Sequence, residues 1–132
     1  MSNNLPKIER LHGTADTENL FAGKKKSVYV HPLRVVYKAQ TEEGLPTRIM
    51  VIVPKRFFKH AVDRNHTKRV IRECYRLHKE QLYEVLTQKD CKILLSINYL
   101  QDKRRNFPSM EQKYMRMLDR LVDAISNMNT NQ

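Results

Sequence analysis

Arginine and lysine recur at three- and four-residue spacing from position 64 to position 79: Arg64, Lys68, Arg69, Arg72, Arg76 and Lys79, with Asn65 and His66 among them. Residues three and four apart are neighbours on a helix surface, so this spacing gathers the cations into one stripe. Arginine outnumbers lysine there. A guanidinium presents a rigid fork of donors that matches two phosphate oxygens at once, which an ammonium does not. Asn65 adds a donor and an acceptor suited to a 2′-hydroxyl or a base edge. The plain alternative is a solvated charged face. Such faces usually mix Glu with Lys at i,i+4 spacing, whereas a nearly all-cationic stripe repels itself and calls for an anionic partner.

No other set of residues matches a catalytic pattern. The histidines, His12, His31, His60, His66 and His78, are scattered, and none has a serine or cysteine nucleophile and an acidic orienter in a local motif. Cys74 and Cys91 form no CxxC and have no flanking histidines, so neither a zinc site nor a disulfide framework is expected. A glycine-rich phosphate loop is missing from the sequence. We therefore assign no catalytic or metal-ligating side chain and expect no cofactor bound by the protein itself. Lys103, Arg104 and Arg105 form a second basic run, for which RNA backbone contact and simple solvation are both open. Phe57 and Phe58 offer rings for base stacking, or for packing beneath a helix start.

The whole composition agrees with the stripe. Lys and Arg number 25 against 14 Asp and Glu, a formal charge of +11, with a pI near 9.9. A chain this cationic is expected to meet a polyanion, and nucleic acid leads that class. At 132 residues the chain suits a single nucleic-acid-binding domain over 1–132, with unstructured ends at about 1–11 and 127–132. Mean hydropathy is −0.67, and the longest apolar run, 49–53, falls far short of the roughly 20 residues of a spanning helix. The first residues, MSNNLPKIER, bring early charge and no apolar block, so no signal peptide is seen and a cytoplasmic location with no membrane partner is expected.

The elements that must position the stripe follow from hydrophobic period and punctuation. Residues 14–22 read as a short helix, capped by Thr14 or Asp16 and ended by Gly23. Residues 27–39 and 47–53 are β-branched and separated by a turn-like 41–46, which predicts a strand pair. A basic aromatic loop, 55–59, leads into a long helix from about His60 to the 82–86 region. On this helix Val70, Cys74, Leu77 and Gln81 are expected to share the side opposite the cations, with Ile71 at its edge. Residues 92–98 read as another strand. Pro108 and Ser109 open a last helix, with Ser109 and Gln112 spaced as a capping box and Tyr114, Leu118, Leu121, Val122 and Ile125 as its apolar stripe. The sum is an α+β chain, an α/β sandwich of three helices on a small mixed sheet.

The segment Ala61-Val62-Asp63-Arg64-Asn65-His66-Thr67-Lys68-Arg69-Val70-Ile71-Arg72-Glu73 resembles the signature of the bacterial ribonuclease P protein component, Ala-Val-x-Arg-Asn-Arg followed by Lys-Arg, two hydrophobic residues and Arg-Glu. Val53-Pro54-Lys55-Arg56 is similar to the family's strand end, and Leu20-Phe21 and Arg34-Val35-Val36-Tyr37 to its N-terminal aromatic positions. The likeness spans about residues 5 to 125. It implies a left-handed β-α-β crossover, and a protein that binds the catalytic RNA of ribonuclease P and the single-stranded 5′ leader of precursor tRNA. The RNA subunit would carry the hydrolysis, with magnesium. RNA contacts then fall on Arg64, Asn65, His66, Lys68, Arg69, Arg72 and Arg76, and leader contacts on Phe21, Tyr37 and Lys55. In three places the chain departs from the pattern. His66 stands where a second arginine is usual, Phe58 where a glycine is common in a loop shorter by one residue, and Thr17 where another aromatic often precedes Phe21. The alternative reading is a structural RNA-binding protein, such as a small ribosomal component, for which the basic helix alone suffices.

Overall fold

The computed structural model describes residues 25–40 and 47–127. Strands β1 (Lys26–Val30) and β2 (Leu33–Gln40) form an antiparallel hairpin with Val28 opposite Val35 and Val30 opposite Leu33. The stretch expected as one strand over 27–39 is thus two. Pro32 explains the break, since a residue without an N–H cannot serve the interior of a ladder, and it sits with His31 in the turn.

Strands β3 (Thr47–Ile52) and β4 (Lys92–Tyr99) complete a four-stranded sheet in the order β1-β2-β4-β3. β4 is antiparallel to β2 and parallel to β3. The expected pairing of 27–39 with 47–53 therefore does not occur, because β4 stands between them. Ile93, Leu94, Leu95, Ser96 and Ile97 are all buried, and a run apolar on both faces belongs at the centre of a sheet.

Helix α1 (Ala61–Gln88) connects β3 to its parallel neighbour β4, and α2 (Phe107–Ser126) follows β4. The described residues hold these two helices and not three, and the helix expected at 14–22 lies outside them. So do the ends, apart from Asn127, whose N–H donates to the Asp123 carbonyl at 3.0 Å and closes α2.

Strand alternation divides the sheet into two faces. Leu33, Val35, Tyr37, Ile49, Val51, Leu95, Ile97 and Tyr99 join Ile71, Tyr75, Leu86, Tyr114 and Leu118 of the helices in one core. Arg34, Val36, Lys38, Arg48, Met50, Leu94, Ser96 and Asn98 occupy the alternate positions and face the other way. Burying a Leu, Ile or Val side chain contributes roughly 1.5–3 kcal/mol, so this core, more than intrinsic helix propensity, holds α1 in place. A buried hydrogen bond between the Thr47 and Tyr75 hydroxyls ties β3 to α1.

Two local expectations are corrected. The buried side of α1 carries Thr67, Val70, Ile71, Cys74, Tyr75, Leu82, Val85 and Leu86, while Leu77 is 47% exposed and Gln81 is exposed. The stripe passes through His78, whose Nε2–H donates to Glu111 of α2 at 2.8 Å, so a polar pair occupies a turn of the seam beside the Leu77 and Gln81 positions expected there. The cap of α2 is Asn106, whose side chain accepts from the Ser109 N–H at 3.0 Å. Ser109 is one turn inside, and its hydroxyl accepts from Arg105 Nη1 at 2.9 Å.

Candidate nucleic-acid interface

β3 delivers the chain to the start of α1 through the loop at 55–59. Phe58 is buried and stacks on Tyr99 with ring centroids 6.2 Å apart, which anchors the loop from below. Lys55, Arg56 and Lys59 are left exposed. Arg56 lies over the half-buried Phe57 ring at 4.8 Å. Of the two phenylalanines considered for base stacking, one is core and the other carries an arginine on its face.

Arg64 folds back under this loop. Its Nη1 donates to the carbonyls of Phe58 at 2.8 Å and Lys59 at 3.1 Å. The N-cap residue His60 makes no side-chain capping bond, so Arg64 helps hold the entry to α1 as well as adding charge. Lys68 follows one turn on. Burial, then the positive charges of Arg72 and Arg64, lower its pKa, and their four-residue spacing puts the three cations on one side of the helix. Asn65 and Arg69 are exposed. These side chains form the stripe expected from the sequence.

Arg76 differs from the rest. Its Nε donates to Glu73 Oε2 at 3.0 Å, and its Nη2 binds the other carboxylate oxygen. That bond from Arg76 holds the Glu73 carboxyl below its usual pKa range. Its charge is already matched within the helix. Further on, Lys79 Nζ lies 5.7 Å from the centre of the Tyr83 ring.

His66 sits beside a cation that sequence spacing did not connect to it. Arg104, in the loop between β4 and α2, donates from Nη1 to Asp63 Oδ1 at 2.9 Å. Burial, then the charges of Arg104 and Arg69, lower the His66 pKa, with Asp63 opposing. Lys103 is exposed nearby, whereas Arg105 is engaged with Gln101 Oε1 at 2.9 Å and with Ser109. No local sequence signal links position 104 to position 63; only the fold does.

The residues expected at the leader separate. Lys55 is exposed on its loop. Tyr37 is 3% exposed and belongs to the core beneath the helices, where burial raises its pKa. Phe21 lies outside the described residues. The face of the sheet turned away from the helices carries Arg34, Lys38, Arg48 and Asn98, with Tyr29 half exposed at its edge strand. The Tyr29 hydroxyl is 2.8 Å from His31 Nδ1, and Asn98 Nδ2 donates to the Arg34 carbonyl at 3.2 Å. This face also carries the apolar Val36, Met50 and Leu94, and sequence reasoning missed its polar members because a one-strand reading of 27–39 hides which residues share a side.

Cys74 has no exposed surface, and burial, with the Glu111 and Glu73 carboxylates, pushes its thiol pKa up to about 12. No group of three or more His, Cys, Asp and Glu among the described residues could hold a metal ion. No helix among them is long and apolar enough to cross a membrane.

The family model described as Ribonuclease P matches residues 5–122. A ribonuclease P protein component of Porphyromonas gingivalis is 35% identical over 122 residues, which cover 92% of this chain and 88% of the relative. One of Chlorobaculum tepidum is 29% identical over 136 residues, covering 96% and 86%. Among solved structures, the RNase P protein of Staphylococcus aureus shares the fold with a TM-score of 0.69 at 22% identity, covering 87% of this chain and 96% of that one. That of Thermotoga maritima has a TM-score of 0.66 at 21% identity, covering 85% and 96%.

Proposed function

Because the chain belongs to the ribonuclease P protein family, whose members are protein subunits of a ribonucleoprotein of tRNA processing, we propose that the basic stripe of α1 is the face that binds its catalytic RNA. The observation that carries this reading is the run Arg64, Lys68 and Arg72 beside exposed Asn65 and Arg69, a concentration of cations turned away from a closed core. Family membership also favours it over a ribosomal structural role. On this reading the RNA subunit carries the hydrolysis with magnesium held among its own phosphates, and the protein works in the cytoplasm without a membrane. The β3-α1-β4 crossover is read as left-handed, on the resemblance alone, since the general preference is right-handed in about 98% of cases.

The protein's part is electrostatic and positional. Cations that neutralise phosphates release condensed counterions, which favours binding most at low salt. Arg76, already paired with Glu73, contributes less than its neighbours, and Arg64 contributes partly by holding the 55–59 loop. The 5′ leader of precursor tRNA is the second ligand, contacted by Lys55 and Phe21. A single strand of variable sequence is gripped through phosphates and base faces, and the polar sheet face with Tyr29 at its edge supplies both kinds of group. Tyr37 supports that grip from the core.

The test is cleavage of a precursor tRNA by a bacterial ribonuclease P RNA, with and without the protein, at limiting magnesium. The protein is expected to stimulate leader removal, and alanine at Lys68, Arg69 or Arg72 is expected to flatten the salt dependence of RNA binding by about 0.7 to 0.9 log units for each phosphate no longer neutralised. Unchanged affinity and slope for all three variants would remove the stripe from the interface.

A further inference from the structure

The loop between β4 and α2 reaches the start of α1 through one ion pair, Arg104 to Asp63, formed across 41 residues of chain. Arg104 remains 47% exposed and gives one N–H to Asp63. A guanidinium has five donors, so donors beyond the one given to Asp63 remain for a ligand, at the helix end where Arg69 is exposed and His66 is half buried. We propose that Arg104 is an RNA-contacting residue, supplying from this loop the permanent cation that His66 lacks at its place in the stripe, and that Asp63 is the positioning residue that aims it. The proposal rests on the reading of the α1 stripe as the RNA face.

Three observations converge on it. Arg104 is held at Asp63, one turn before His66 on the same helix, and burial, then the charges of Arg104 and Arg69, disfavour the charged imidazole, so the permanent cation at this point is the guanidinium. Asp63 lies in the first turn of α1, where a carboxylate suits the helix dipole. Left unpaired beside a phosphate-binding stripe, that carboxylate would repel RNA; paired with Arg104, its charge is matched and its geometry fixes the fork. Arg105 of the same run is placed differently, since it is spent on Gln101 and Ser109 within the loop.

The experiment measures affinity for an in vitro transcribed bacterial ribonuclease P RNA across a salt series, with folding of each variant checked by its thermal midpoint. Arg104→Ala is expected to weaken binding and to flatten the log Kd against log salt line by about 0.7 to 0.9. Arg104→Lys is expected to recover most of the slope, which a purely structural loss would not. Asp63→Asn is expected to weaken binding although it removes a negative charge; tighter binding would refute its positioning role. His66→Arg in the Arg104→Ala background should restore the slope. Arg69→Ala is the separating control. If it lowers the slope and Arg104→Ala does not, the proposal for Arg104 falls and the stripe stands. If neither changes the slope, the reading of the stripe fails and the proposal fails with it.

Discussion

His66 and Cys74 show how neighbours decide what a side chain can do. Burial and the charges of Arg104 and Arg69 disfavour the imidazolium of His66 in the free protein. The folded chain thus binds this proton more weakly than the unfolded chain, whose ordinary value is near 6.5. The corresponding stability is complete above that pH and declines as pH falls through the lowered folded value. A bound polyanion reverses the preference and favours the charged ring. Binding of ribonuclease P RNA is therefore expected to take up a proton and to tighten as pH is lowered from about 7.5 to about 5.5, and His66→Arg is expected to abolish that dependence and bind more tightly near pH 8. Equal affinity of the two proteins at the higher pH would show that position 66 meets no phosphate. Cys74, with its thiol pushed up to about 12 and fully buried, is expected to resist alkylation in the native protein at about pH 8. Cys91 is partly exposed and is expected to react first, as peptide mapping after a timed iodoacetamide pulse would show.

At the scale of elements, helix ends and helix seams were legible to different degrees. Asn106 caps α2 through the Ser109 N–H, and replacing an N-cap asparagine with alanine typically costs about 1 kcal/mol. Asn106→Ala is expected to lower the stability measured by urea unfolding by that amount, and Ser109→Ala to cost less, since it loses a side-chain bond from Arg105 but leaves the cap. A larger loss at Ser109 would restore the capping box that its spacing with Gln112 suggested. The seam between α1 and α2 was harder to read. Apolar period alone favours Leu77 over His78, yet His78 meets Glu111 across the helices and Leu77 stays half exposed. A periodicity argument ranks positions by hydrophobicity, and it has no access to the acid on the facing helix that makes a histidine acceptable there.

For the whole molecule, leader-bearing precursor and mature tRNA separate two kinds of contact. Lys55→Ala leaves the core intact and is expected to weaken binding of the holoenzyme to precursor while leaving mature tRNA nearly unchanged. Tyr37→Ala opens a hole in the core, where truncating a large buried aromatic costs several kcal/mol, about 3 to 5 in the phenylalanine and tryptophan cases. It is expected to lower the thermal midpoint and to weaken both substrates alike. A selective loss on the precursor with unchanged stability would instead put the Tyr37 ring at the leader.

The cationic stripe of α1, the long helix that carries it, the last helix and the apolar strand before it are all readable along the chain alone. Each is a local pattern, written in spacings of two or of three and four residues, and local backbone geometry turns such patterns directly into faces. The family resemblance of the 61–73 segment is equally local. Three features come from the fold instead: β4 lies between β2 and β3, Tyr37 turns toward the helices, and Arg104 comes to Asp63. Strand order and contacts between distant positions depend on which burial of both sheet faces and both helix stripes is collectively most favourable. That is a property of the assembled core, and no window along the chain contains it.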